Sequence, residues 1–205
     1  MTDGPNLTRR GLVAASALAP FLATTSACAQ APQGTAGTSP ILVAYFTRSG
    51  NTRVIARGIA RALGAGLFEV EPARPYPDDY DETVAQAERE RQAEYRPALA
   101  ASVSGLASYQ TIFLGFPIWG MTAPSIIRSF LSEHDLSGKT LVPFITHGGY
   151  GTGSSLDVLS RHAPQARLID PFVLECDQER RTLNSVNDWL DGLELPSRSQ
   201  PTKGQ

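Results

Sequence analysis

The chain has 205 residues, a formal net charge of −2 and a hydrophobic fraction of 41%, enough apolar residues for a globular core. A charge this close to zero argues against nucleic acid as a partner, because nucleic-acid-binding domains carry clustered basic residues. The two cysteines, Cys28 and Cys176, leave no disulfide framework in the folded domain once an N-terminal segment is removed. Residues 40–193 remain, the size of one domain.

Residues 1–29 are predicted to be a twin-arginine-type export signal. Arg9 and Arg10 precede an apolar run, Gly11–Ala23, that is too short to span a bilayer. Ala27, Cys28 and Ala29 then fit a cleavage site made of small residues. An ordinary secretory signal that happens to contain two arginines is the alternative. Both interpretations predict an exported protein, in the bacterial periplasm or at the outer face of the membrane.

The segments that flank the predicted domain include one candidate modification site. Thr25–Cys28 is similar to a lipoprotein cleavage box, although an aliphatic residue normally stands in place of Thr25. A lipid anchor at Cys28 is therefore an alternative to cleavage after Ala29, which is favoured. Residues 30–39 are predicted to be a flexible linker, and residues 194–205 a disordered tail.

From residue 41 onward, predicted strands and helices alternate along the chain. Apolar runs predict strands at Ile41–Phe46, Leu67–Val70, Thr111–Phe116 and Thr140–Thr146, with a fifth inside Arg167–Leu174. Apolar residues at helical spacing predict helices over 54–63, 124–132, 154–162 and 179–190. Such alternation predicts an α/β fold, in which right-handed βαβ units form a parallel sheet covered by helices.

The segment from Asp78 to Arg96 is strongly charged and follows a stretch that contains three prolines. Its charges are expected to form the solvated face of a helix rather than a binding patch. Tyr76 and Tyr80, near its start, could reach over a ligand, but packing against the domain is favoured.

The turn after the first strand, Thr47–Thr52, has the composition of a phosphate-binding loop. Backbone N–H groups at a helix N-terminus lack intrahelical partners, and the helix dipole favours negative charge there. Thr47, Ser49 and Thr52 add hydroxyl donors, and Gly50 lets the backbone approach an anion closely. Simple helix capping is the alternative. Neither the Walker spacing nor G-x-G-x-x-G follows this strand, which leaves a loop suited to a single phosphate.

Two further loops are expected at the same edge of the sheet, because ligands of parallel α/β sheets bind at the carboxyl ends of the strands. Loop 115–124 offers Trp119 as a wide aromatic face between Pro117 and Pro124. Loop 146–155 contains four glycines, so its backbone can approach the edge of a flat heterocycle. The three loops together predict a site for a phosphorylated planar ring.

Five motifs in order make the chain similar to the flavodoxin family, in particular to its short branch. They are Y-F-T-R-S-G-N-T at Tyr45–Thr52, P-Y-P-D-D-Y at Pro75–Tyr80, F-P-I-W at Phe116–Trp119, D-L-S-G-K-T-L-V-P-F at Asp135–Phe144 and T-H-G-G at Thr146–Gly149. The resemblance covers residues 41 to about 190. It implies a three-layer α/β/α sandwich, a five-stranded parallel sheet of order 2-1-3-4-5, and bound FMN.

The resemblance also implies which residues bind FMN. The first loop would hold the phosphate, the second would flank the isoalloxazine ring, and the third would line its other edge. The candidates are Thr47, Arg48, Ser49, Gly50, Asn51, Thr52, Pro117, Ile118, Trp119, Gly120, Thr146, His147, Gly148, Gly149 and Gly153. Relatives often have an aromatic residue after the tryptophan, whereas this chain has Gly120 and Met121. A second aromatic wall is thus missing or comes from Tyr80 or Tyr150, which bears on the flavin potential.

The three histidines give little indication of a catalytic or metal-binding site. His147 could hydrogen-bond the flavin or relay a proton to a substrate, and a role in shaping its turn is an equal alternative. His134 and His162 are assigned no role. Three scattered histidines without nearby carboxylate spacing predict no metal site.

The sequence therefore favours an exported FMN protein that transfers electrons. A carrier that exchanges electrons with a redox partner protein is placed narrowly ahead of a reductase that binds NAD(P)H or a quinone. The modest charge argues against a strongly acidic carrier, while the small size, without a second nucleotide domain, argues for a carrier. A non-catalytic binding module on the same scaffold is the alternative from another class.

Overall fold

The computed structural model describes residues 39–175, residue 186 and residues 188–193. The predicted export signal, Cys28, Cys176, linker residues 30–38 and the predicted tail lie outside the described residues. Of the last predicted helix, residues 186 and 188–190 are described and are helical.

A parallel sheet forms the centre of the domain. Its strands are β1 Ile41–Tyr45, β2 Gly66–Glu69, β3 Thr111–Pro117, β4 Thr140–His147, β5 Arg167–Leu168 and β6 Phe172–Glu175. Their order is β2-β1-β3-β4-β5, and β6 also pairs with β4. Every pairing is parallel. The predicted α/β fold with strand order 2-1-3-4-5 is confirmed.

The outer edge of β4 departs from the predicted single fifth strand. β5 pairs with the start of β4, where Arg167 lies opposite Thr140, and β6 pairs with its end, where Phe172 lies opposite Phe144. Pro171 lies between the two strands and has no N–H to donate to the ladder. The predicted fifth strand is therefore divided into two short strands along the same edge.

Helices cover both faces of the sheet. They are α1 Asn51–Leu63, α2 Tyr80–Gln92, α3 Ser125–Glu133 and α4 Ser155–His162. Successive side chains of a strand point to opposite faces, so Leu42 lies in one buried cluster and Val43 in the other. Ile127 of α3 and Leu159 of α4 pack in the first cluster, and Ile59 of α1 packs in the second. The result is the expected three-layer arrangement.

Helix α2 is packed less deeply than α1 or α3. Thr83 and Glu90 are its buried residues. Asp79 caps its N-terminus, because its Oδ1 accepts a hydrogen bond from the Glu82 N–H at 2.9 Å. Most of the helix is therefore solvated, and one stripe of it faces the site described below.

Across the described parts of the chain, no helix combines the length and apolarity needed to cross a bilayer. The same residues contain no group of three or more His, Cys, Asp or Glu side chains that could hold a metal ion.

Candidate functional site

Three loops leave the sheet at one edge, as the sequence predicts. β1, β3 and β4 are adjacent and parallel, so their carboxyl ends point the same way. Tyr45 pairs with Gly115, and Pro117 pairs with Thr146, which places the strand ends side by side. The loops that follow these three strands are therefore neighbours in space.

The turn after β1 leaves the first N–H groups of α1 available to an anion. Gly50 is the N-cap residue, with a φ of 93°, and no side chain caps the helix. The first turn of α1 contains no acidic residue, whereas α2 has Asp81 and Glu82 in its first turn and Asp79 as its cap. Because the first N–H groups of a helix have no intrahelical carbonyl partner, this N-terminus fits a phosphate.

Two threonine hydroxyls give this turn its shape. Thr47 Oγ1 accepts a hydrogen bond from the Gly50 N–H at 3.0 Å, which closes the turn. The hydroxyl oxygens of Thr52 and Thr146 lie 3.0 Å apart, which ties α1 to the end of β4. A hydroxyl has one donor and two acceptor positions, so Thr47 keeps its hydrogen for another partner.

A cavity of about 370 Å³ opens between the turn after β1, the loop after β3 and helix α2. This volume lies in the usual range for small-molecule sites. Most of the predicted FMN-binding residues line it, namely Thr47, Arg48, Ser49, Asn51, Thr52, Pro117, Ile118, Trp119, Gly120 and Thr146. Gly50 is not part of the lining, although it forms the turn. The fold thus brings motifs from three distant segments to one cavity.

Trp119 is half-buried and held between two aromatic neighbours. Its ring lies edge-on to those of Phe46 and Tyr76, with centroid distances of 5.2 and 4.9 Å. The Trp119 N–H donates to the Thr122 carbonyl at 2.9 Å, and the Ile118 N–H donates to the Thr146 carbonyl at 2.9 Å. Trp119 is therefore a fixed part of the cavity wall.

The two tyrosines of the P-Y-P-D-D-Y motif have different environments. Tyr76 packs against Trp119 and donates to Glu90 Oε2 at 2.9 Å, so burial and the Glu90 carboxylate raise its pKa above the ordinary value. Tyr80 is 68% exposed and lines the cavity, with the Arg48 guanidinium 5.7 Å from its ring centroid. Tyr76 is therefore packed against the domain, whereas Tyr80 lies at the mouth of the cavity. Tyr150 does not line the cavity.

Beyond Thr146, the third loop lies outside the cavity lining. The predicted residues His147, Gly148, Gly149 and Gly153 do not line it. His147 Nδ1 is 3.0 Å from the Gly149 N–H, which fits a role in shaping the turn. The Ser154 N–H donates to the Met121 carbonyl at 3.0 Å, which ties this loop to the loop after β3. The part of these four residues in FMN binding stays a prediction.

The sequence analysis missed helix α2 as a wall of the cavity. The helix contributes Tyr80, Thr83, Val84, Ala87, Glu88 and Arg91 to the lining. Residues three and four apart share one face of a helix, so these side chains form a continuous stripe. Val84 and Ala87 are the only aliphatic residues in the stripe, so a search for a hydrophobic face does not find it. The signal that could have found it is the pair of small apolar residues, three apart, inside a charged helix.

A second cavity, of about 480 Å³, lies on the β2 side of Thr47 and Arg48. Two of its charged side chains, Arg53 and Glu69, already pair with each other. Arg53 Nη2 lies 2.6 Å from Glu69 Oε1, and the Tyr45 hydroxyl donates to Glu69 Oε2 at 2.7 Å. Burial and Glu69 raise the pKa of Tyr45 to about 12, and the hydrogen bond to Glu69 raises that of Arg53 above its ordinary value. The smaller cavity, with its uncapped helix and unpaired hydroxyl hydrogens, is the better ligand site.

A parallel sheet of this order, with an uncapped helix N-terminus after β1 and an aromatic loop after β3, is typical of α/β proteins that bind phosphorylated ligands at the carboxyl edge of the sheet. The flavodoxin family profile matches residues 40–193. The chain belongs to the flavodoxin family.

Solved structures support this assignment. A candidate flavoprotein from Bacteroides eggerthii DSM 20697 is 34% identical, with a TM-score of 0.64 over 74% of this chain and 95% of that chain. A candidate flavoprotein from Bacteroides uniformis ATCC 8492 is 31% identical, with a TM-score of 0.66 over 74% of this chain and 97% of that chain. A flavoprotein from Lactobacillus acidophilus NCFM, solved in complex with FMN, shares the fold at 20% identity, with a TM-score of 0.58 over 70% of this chain and 97% of that chain. No curated protein matches the chain.

Proposed function

We propose that this protein binds FMN in the cavity beside α1 and transfers electrons through it. The observation that carries the proposal is that one cavity joins the uncapped N-terminus of α1 to the fixed ring of Trp119. FMN has both parts that such a site requires, a phosphate and a flat heterocycle. The FMN complex of the Lactobacillus acidophilus flavoprotein supports the same cofactor.

The residues of the cavity fit FMN at both ends. Thr47, Ser49 and the first N–H groups of α1 would hold the phosphate, with the positive end of the helix dipole behind it. Pro117 and Trp119 would flank the ring and exclude water from one side of it. Bound FMN supplies the electron-transfer chemistry, and the chain binds it, orients it and sets the electrostatic environment of its ring.

Two roles remain within this function, and the carrier is proposed first. A carrier exchanges electrons with a redox partner protein, which needs an accessible ring and contact surface around it. Tyr80, Val84 and Met121 are exposed around the cavity and the loop after β3, which suits such a contact. The alternative is a reductase in which NAD(P)H or a quinone occupies the open side of the ring.

An anaerobic stopped-flow experiment separates these roles. FMN-loaded protein is mixed with NADPH or NADH, and flavin absorbance is followed. Absence of bleaching, in protein that dithionite does reduce, is the result expected for a carrier. Rapid bleaching by the nicotinamide would establish the reductase instead. Purified protein that never binds FMN would favour the non-catalytic binding module.

We also propose that the protein is exported, through the twin-arginine signal in residues 1–29, and acts in the periplasm or at the outer face of the membrane. The support is the sequence pattern of Arg9 and Arg10 before a short apolar run. Changing both arginines to lysine is expected to retain the protein in the cytoplasm. Mass spectrometry of the exported chain then distinguishes cleavage after Ala29 from a lipid anchor at Cys28.

A further inference from the structure

One stripe of helix α2 runs along the length of the cavity. Tyr80, Val84, Ala87 and Arg91 are spaced by four, three and four residues, so they share one helix face, and all four line the cavity. At about 1.5 Å per residue, the stripe is about 16 Å long. It therefore reaches from one end of a bound mononucleotide to the other.

The two ends of the stripe lie beside different loops. At its start, Arg48 of the phosphate-binding turn lies over the Tyr80 ring, and Arg48 Nη2 donates to the Asp78 carbonyl at 2.7 Å. At its end, Arg91 lies against Gly120, because a Cβ built on Gly120 would overlap Nη1 of Arg91. The Arg91 guanidinium is therefore at the Trp119–Gly120 end, where the isoalloxazine ring is expected, and far from the phosphate.

Among the described residues no ion pair to Arg91 is found, although Glu88, one turn earlier on the helix, lines the same cavity. The ion pair found among the described residues joins Arg53 to Glu69. Of the carboxylates near Arg91 on the helix, Glu88 Oε1 accepts from Gln92 Nε2 at 3.1 Å. Glu90 accepts hydrogen bonds from Tyr76 and Gln86. Arg91 is therefore left as a half-buried cation that lines the ring end of the cavity.

We propose that Arg91 stabilises the negative charge that the flavin ring gains on reduction, and so strengthens the binding of reduced FMN more than that of oxidised FMN. Two electrons from a reductant such as dithionite, which is oxidised to sulfite, and one proton from solvent leave the ring with one additional negative charge. A cation beside the ring attracts that charge in the reduced state and has no equivalent partner in the oxidised state. The inference rests on the proposed FMN site and adds the residue that sets its preference between the two redox states.

The test compares FMN affinities in the two redox states. Dissociation constants are measured for oxidised FMN in air and for dithionite-reduced FMN under anaerobic conditions, for the wild type, Arg91→Gln and Arg91→Lys. Arg91→Gln is expected to weaken the binding of reduced FMN about tenfold more than that of oxidised FMN, an effect between those of a charge pair in water and of one near a protein surface. Arg91→Lys keeps the charge and is expected to retain most of the preference.

Arg89→Gln is the matched control, because Arg89 is an exposed arginine of the same helix that does not line the cavity. It is expected to leave the ratio of the two affinities unchanged. Equal weakening of both redox states by Arg91→Gln, or no change, would overturn the inference. If Arg91→Gln weakened the binding of FMN but not that of riboflavin, Arg91 would contact the phosphate, and this result would overturn the inference as well. If Arg91→Gln does not fold, Arg91→Met keeps the apolar stem and gives the same comparison. Failure of the wild type to bind FMN would instead remove the proposed function.

Discussion

The hydroxyl oxygens of Thr52 and Thr146 lie 3.0 Å apart, although 94 residues separate them in the sequence. Both residues are 1% exposed. Thr52 is in the first turn of α1, and Thr146 is near the carboxyl end of β4. This hydrogen bond therefore fixes the turn after β1 relative to the strand beside the aromatic loop, so these two walls of the cavity are held together.

Thr146→Val is expected to destabilise the protein without FMN by about 1–3 kcal/mol, because it leaves the buried Thr52 hydroxyl without its partner. Thr52→Val should have a similar effect. The double variant should lower the free energy of unfolding by clearly less than the sum of the two single effects. Urea unfolding measures all three. Thr140→Val, at the other end of β4, is the control, since the Thr140 hydroxyl makes no side-chain hydrogen bond among the described residues. Additive costs in the double variant would show that the two hydroxyls do not interact.

Thr47→Ala is expected to weaken FMN binding by about 10- to 150-fold, because a hydrogen bond to a charged phosphate contributes about 1.5–3 kcal/mol. Riboflavin has the same ring and no phosphate, so its affinity should change little. Fluorescence titration of both ligands against the variant and the wild type measures the difference. Similar losses for FMN and riboflavin would place the phosphate away from this turn.

Gly153→Ala is expected to destabilise the domain by about 1–3 kcal/mol more than Gly151→Ala, the usual size of an overpacking effect. Both glycines have positive φ values, 53° and 68°, so both substitutions introduce comparable backbone strain. A Cβ on Gly153 would also overlap the Met121 carbonyl, which accepts a hydrogen bond from the Ser154 N–H, whereas a Cβ on Gly151 meets nothing within 4 Å. Thermal unfolding of both variants gives the comparison. Equal melting temperatures of the two variants would mean that the contact between Gly153 and Met121 has room for a methyl group.

His162 is expected to make the protein less stable as the pH falls below about 6.5, its ordinary pKa. Burial lowers the pKa of His162 in the folded state, and Arg128, Arg96 and Arg161 lower it further, while Glu94 opposes them. The unfolded chain therefore binds the proton first, and stability is lost from about pH 6.5 down to the folded-state pKa. His162→Asn should remove this dependence of stability on pH. Urea midpoints of the wild type and the variant between about pH 8 and pH 5 test it, and parallel curves would contradict the expectation.

Much of the fold follows from local sequence patterns. Runs such as Ile41–Tyr45 are apolar at every position, which is typical of strands buried on both faces, and the intervening helices then require parallel order. The division of the fifth strand was missed, because the apolar run around Pro171 favours one strand while the missing N–H of the proline interrupts the ladder.

The candidate site was predictable at its phosphate end and only partly at its ring end. Thr47, Ser49 and Thr52 form a local motif whose geometry depends on a single turn. Trp119 lines the cavity, and its predicted contact with the flavin ring stays a prediction. The third loop was expected in the lining, but beyond Thr146 it does not line the cavity. It contacts Met121 instead, and such a contact depends on packing between distant segments.

The sequence by itself indicated the alternation of strands and helices and the turn after β1, because hydrophobic periodicity and unpaired helix N–H groups are local properties. The strand order was implied by the resemblance to the flavodoxin family. Only the tertiary structure decided which charged helix covers the cavity. Tyr80 and Arg91 belong to a segment whose composition predicts a solvated helix, and only the apolar pair Val84 and Ala87 marks its cavity-facing stripe. The docking of α2 over the loops after β1 and β3 is what places the Arg91 cation beside Gly120, at the Trp119 end of the cavity.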